Sequence, residues 1–190
     1  MKICKFLIIY LILPSFLLAS NNTIRHAVHS EKKNDSMEKQ MTKSKNVMDK
    51  FEFLLGQWNL EYRVPKSAFS EAATGSGTGT FKRALDDKYV FFDYSCNIST
   101  TPNETGKAHG IFAWDEKAKI YRYWWFESSG SFTNAACNFI NDDTLFMNWH
   151  DTLLIQTFQK QDKDKVILRM ENPTSEGKYG LVMEVILTRK

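Results

Sequence analysis

The chain has 190 residues, is 43% hydrophobic and 14% aromatic, and carries a formal net charge of +3. That is enough apolar material for one good core, and a single domain is the default at this length. The charge is unevenly placed: residues 21–50 carry Arg25 and six lysines against four acids, while residues 51–190 carry 16 basic and 18 acidic side chains, a mildly acidic balance that argues against nucleic-acid binding, which relies on clustered Lys and Arg.

Residues 1–20 read as a secretory signal. Lys2 and Lys5 form a basic start, Phe6 to Leu18 an almost unbroken apolar run, and Ala19 and Ser20 suit signal-peptidase cleavage. The run is shorter than the roughly 18 to 20 residues of a spanning helix, so no stable membrane insertion is expected after cleavage. The sole cysteine of this segment, Cys4, precedes the run, which leaves no lipid acceptor after it. The expected location is an exported compartment, periplasmic or extracellular. Residues 21–45 are polar, without apolar period, and read as a flexible linker; His26 and His29 within it read as solvated side chains, and no metal is expected.

Residues 46–190 read as the folded domain. Asn46 can cap a short helix whose stripe is Val47, Phe51, Leu54 and Leu55, with Gly56 ending it. Trp58, Leu60, Tyr62 and Val64 then alternate with polar residues, which is the period of a strand. Pro65 to Ser76 reads as loop, and Gly75 to Phe81 as strand. Its glycines let a sheet bend or let a large ring lie against the backbone; a phosphate-cradling loop would need a following helix and a Gly-Lys-Ser/Thr ending. Tyr89 to Cys96 is the next strand.

His109 to Phe126 reads as an antiparallel hairpin with its turn in Asp115 to Lys119. Its second arm separates into Ile120, Arg122, Trp124, Phe126 and Tyr121, Tyr123, Trp125, two aromatic faces of which one belongs in a core. Phe132 to Phe139, Leu145 to His150, Leu153 to Phe158, Val166 to Glu171 and Tyr179 to Arg189 continue the rhythm, divided by turn residues. About ten strands and one short N-terminal helix predict an all-β fold, a closed antiparallel up-and-down β-barrel. Cys96 and Cys137 remain after cleavage; a disulfide and two buried thiols are both open readings, because the two lie on non-adjacent strands.

The helix, then Gly56-Gln57-Trp58, then Leu187-Thr188-Arg189 on the last strand resemble the lipocalin and fatty-acid-binding superfamily, the calycins. The resemblance implies that Trp58 closes the barrel floor and Arg189 packs across it by cation-π contact. The frame Phe53-Leu54-Leu55-Gly56-Gln57-Trp58, then Gly77-Thr78-Gly79-Thr80-Phe81 with Arg83 and Leu85, then Gly110-Ile111 with Trp114-Asp115 and Tyr121, resembles more closely the bacterial family called domain of unknown function 1579. That family implies a barrel and no established chemistry, and Asp86-Asp87 departs from its usual glycine.

A barrel of this size can hold one small ligand among apolar walls with a few orienting polar groups. Phe91, Phe92, Tyr123, Trp124, Trp125 and Trp149 are candidates for core or cavity wall. His109, Arg122, Asn148, His150 and Asp93 each need a partner if they point inward. The expected function is therefore binding of a small, mostly apolar molecule, with His109, Arg122, Tyr123, Trp125, Asn148 and His150 as candidate contacts and no cofactor or catalytic residue assigned. Two other classes compete. An enzyme or haem-binding barrel would use His109 or His150, although haem-binding barrels of the nitrobindin type use a histidine near the chain end and this chain has none after Asp151. An interaction module would show a filled interior and an exposed apolar patch.

Overall fold

The computed structural model describes residues 46–67, 71–98, 105–174 and 176–190. The signal and linker readings, with His26 and His29, lie outside these residues. Ten strands follow one another in the order β1 Gly56–Val64, β2 Ala73–Ala84, β3 Tyr89–Ile98, β4 Thr105–Asp115, β5 Ile120–Glu127, β6 Phe132–Asn141, β7 Thr144–Trp149, β8 Ile155–Lys160, β9 Lys165–Pro173 and β10 Tyr179–Arg189. Every strand pairs antiparallel with its neighbour in sequence, and β1 pairs with β10 to close the barrel. Closure gives each backbone edge a partner.

The N-terminal element is shorter than the sequence suggests. Val47–Phe51 forms one 3-10 turn, capped by the Asn46 side chain, which accepts from the Met48 N–H at 2.9 Å. With three residues per turn, the buried stripe is Met48, Phe51 and Leu54, and Val47 is exposed, which corrects the four-residue helical stripe. Gly56 opens β1 with φ of 117°, a conformation that side chains disfavour. A Cβ there would also lie 2.7 Å from Arg189 Nη1.

The inward row of each strand is set by period two. β1 sends Trp58, Leu60 and Tyr62 inside, β3 sends Val90, Phe92, Tyr94 and Cys96, β5 sends Tyr121, Tyr123 and Trp125, and β7 sends Leu145, Met147 and Trp149. Between them run strands with small inward residues: Gly75, Gly77 and Gly79 on β2, Gly106, Ala108 and Gly110 on β4, and Ala135 on β6. Large and small rows thus alternate, which lets rings spread over backbone. Phe92 lies against Gly79 and Tyr123 against Gly110, so close that a Cβ at either glycine would collide with the ring.

One end of the barrel is plugged. Phe51 packs on Phe112, Tyr121 and Phe139 with ring centroids 4.8 to 5.2 Å apart, and the Tyr121 hydroxyl donates to Val47 O at 2.7 Å. Trp58 is fully buried, donates through Nε1 to Leu54 O at 2.7 Å, and carries the Arg189 guanidinium 4.3 Å above its ring. Arg189 donates in turn to Leu55 O at 2.6 Å, Phe53 O at 3.3 Å and Lys163 O at 3.1 Å. The guanidinium ties both chain ends of the domain to the β8–β9 turn. Cys96 and Cys137 are free, buried thiols, which decides between the two readings left open above.

Candidate functional site

The six residues named from sequence divide between the two faces of the sheet. Tyr123 and Trp125 face the interior. His109 and Arg122 lie on the outward rows of β4 and β5, and Asn148 and His150 are exposed at the end of β7 and just beyond it. The reason is parity: each of the first three sits between two inward apolar neighbours, Arg122 between Tyr121 and Tyr123, Asn148 between Met147 and Trp149, and His109 between Ala108 and Gly110. The expected inward orienting groups are therefore outside the barrel. Phe91 and Trp124, named as possible wall residues, are likewise on the outward rows.

On that outer face His109 Nδ1 lies 2.7 Å from Asp93 Oδ1, and Lys82 Nζ lies 2.8 Å from Asp93 Oδ2. The Lys82 ammonium, and next to it His109, hold the Asp93 carboxyl below the usual carboxylate range. Arg122 Nε donates to Asp115 at 3.2 Å. These are surface charge pairs. No group of three or more metal-ligating side chains occurs among the described residues.

The interior changes character along its axis. Toward the floor Trp58, Phe81, Phe112, Tyr123, Phe158 and Leu187 are sealed. Toward the other end the inward rows mix buried Tyr62, Cys96, Trp149, Gln156 and Met183 with half-buried Tyr94, Ala108, Trp125, Glu127 and Met170. A row that points into a barrel and still meets solvent lines its mouth. An aromatic crescent runs through this half, with centroids 6.0 Å apart for Tyr62–Tyr94, 5.4 Å for Tyr94–Trp125, 6.0 Å for Trp125–Tyr123 and 5.8 Å for Tyr123–Trp149. Gln156, Met170 and Met183 belong to the strands that complete the circuit. At the rim, Arg63, Val64, Pro65, Ala72, Ala73 and Thr74 line an open cleft of about 410 Å³.

Polar groups in this half are few. Glu127 is on the inward row, where its Oε1 accepts from Trp125 Nε1 at 3.1 Å and its Oε2 from Ser129 Oγ at 3.2 Å. Its charge reaches the Cys96 thiol, which burial foremost pushes up. In the same half, the Tyr62 hydroxyl and Trp149 Nε1 are buried without a hydrogen-bond partner. Burial raises the phenols of Tyr62 and Tyr94 above their ordinary range. Sequence reading missed Glu127 by ending its strand at Phe126; the alternation of Tyr123 and Trp125 continues one step further and would have found it.

No family model matches the chain. The resemblance to the bacterial family of unknown function therefore gains no support from a family model, whereas the closed barrel it implied is what the chain forms. No curated protein matches either. Among solved structures, the chain is similar to the S-type phycobiliprotein lyase CPES of Guillardia theta, with 11% identity over 76% of this chain and 93% of that one and a TM-score of 0.49. It is similar also to a de novo designed fluorescence-activating β-barrel, with 15% identity over 75% and 98% of the two chains and a TM-score of 0.43. A redesigned β-barrel bound to DFHBI matches with 12% identity over 72% and 99% and a TM-score of 0.42.

Proposed function

We propose that this protein binds a small, mostly apolar molecule in the open half of its barrel. The observation that supports the reading is the half-buried state of Tyr94 and Trp125, two rings that point inward and still present surface. Burying a flat apolar body there removes ring and ligand surface from water at about 25 cal/mol per Å². The sealed layer of Tyr123 and Phe92 below limits the depth, so the ligand is small. We propose too that the protein works after export, a reading supported by residues 1–20 alone; sequencing the N-terminus of protein from its own host checks it, and a chain that still begins at Met1 refutes it.

Native mass spectrometry of protein purified from its own host, with solvent extraction of the same sample, tests the binding. A bound small molecule, together with a change in tryptophan emission on titrating hydrophobic probes that Trp125→Phe diminishes, is the expected result. Repeated recovery of bare protein whose tryptophan emission ignores every probe overturns it. A second reading, an interaction module, is favoured by the outer face of β5 and β6, where Trp124, Phe126 and Phe132 are 38%, 42% and 70% exposed and Phe126 lies against Phe132 at 6.5 Å. If that patch were the functional surface, Phe126→Ser with Phe132→Ser would abolish function and leave ligand uptake intact.

A further inference from the structure

We infer that the ligand is an organic cation, an ammonium group on an apolar body, held by Glu127 and the faces of Trp125 and Tyr94. This rests on the reading of the mouth as a binding cup. Trp125 and Tyr94 pack edge to face there, with planes at 61° and centroids 5.4 Å apart; both rings keep some exposed surface, and a ring face so presented attracts a cation. A carboxylate lies beside Trp125. Glu127 is placed by two hydrogen bonds, from Trp125 Nε1 and Ser129 Oγ, and no Lys or Arg forms an ion pair with it among the described residues, although most other acids near strand ends have such a partner. Its partner across the β4–β5 ladder is the inward residue Ala108, so the carboxylate belongs to an interior row.

Charge selection follows from what the cup lacks. Among the described residues, the buried side chains include no Lys, Arg or His. Arg83 and Arg189 lie toward the floor and are already bonded, to Asp49 and Glu52 and to backbone carbonyls respectively. An anionic ligand would therefore meet a carboxylate and no counter-charge, an arrangement that burial penalises heavily. A neutral ligand would gain the rings alone. A cation gains both the rings and Glu127.

The test uses three probes with one apolar body: naphthylmethyl-trimethylammonium, its neutral carbon isostere neopentylnaphthalene, and naphthylacetate, each titrated into the full-length protein and read by tryptophan fluorescence and calorimetry. The cation is expected to bind about tenfold more tightly than the neutral isostere, with the anion weakest. Glu127→Gln is expected to remove most of that preference while leaving the neutral probe's affinity unchanged. Unaltered circular dichroism and melting temperature certify the fold of this rim variant, and Trp125→Phe, which keeps a ring, provides a second, partial loss. Equal binding of all three probes, or tightest binding of the anion, overturns the cation inference and leaves the cup reading standing. Binding of none overturns both.

Discussion

Tyr62 places a hydroxyl where its ring alone would serve the packing. The group is buried without a hydrogen-bond partner, and an unmet buried polar group costs about 1 to 3 kcal/mol. Tyr62→Phe keeps the ring contact with Tyr94 and should raise stability by about 1 kcal/mol, read from the midpoint of urea unfolding. Asp93 behaves in the opposite sense. Lys82 and His109 depress its folded pKa, so its contribution is fully present above the unfolded value near pH 4 and is lost as pH falls through the lower folded value. The site is 47% exposed, which limits the contribution to less than about 1 kcal/mol. Asp93→Asn should therefore narrow the gap between unfolding free energies measured at pH 7 and pH 3.

Among the elements, β4 carries the sharpest steric constraint. A Cβ on Gly110 would stand 2.6 Å from Tyr123 Cε2, and Tyr123 is itself 2% exposed and held by Phe112 at 4.2 Å. Gly110→Ala should destabilise the barrel by about 1 to 3 kcal/mol, the range for overpacking a filled core, in the same urea assay. This is where sequence reading served best and worst. Alternation along each strand and the turn residues between them carry the ten-strand order, because period two and turn chemistry are local properties. The choice of inward row is also local, and Met147-Asn148-Trp149 contains it: a polar residue between two large apolar ones faces out. The polarity of His109, Arg122 and Asn148 drew them into the site, and their parity removed them. The 3-10 turn was harder to read, because Val47, Phe51, Leu54 and Leu55 fit a helical stripe and only packing against Phe112, Tyr121 and Phe139 favours Met48, Phe51 and Leu54 instead.

For the whole molecule, the floor depends on one guanidinium. Arg189 stacks on Trp58 and donates to three carbonyls drawn from the segment before β1 and the turn before β9. Arg189→Met would leave the buried end of that fan without donors and should cost about 2 to 4 kcal/mol in the urea midpoint. Arg189→Lys should recover only a minor part, since a single ammonium cannot reproduce a planar fork over an indole. The Trp58–Arg189 pair was implied by the resemblance to the calycins, whereas the mouth was not legible: it is assembled from β1, β3, β4, β5, β7 and β9, and no single stretch of chain displays it.

The two free thiols sit at different heights in this barrel. Cys96 is next to Gly77 and Gly106 toward the mouth, Cys137 beside Tyr121 and Met147 toward the floor. Burial raises both thiols above their ordinary range, so each reacts only when its surroundings swing aside. The molecule thus carries a matched pair of internal clocks. Iodoacetamide should mark Cys96 during local breathing of the rim and Cys137 only at the pace of global unfolding, and a guest lodged in the mouth should slow the first clock and leave the second running.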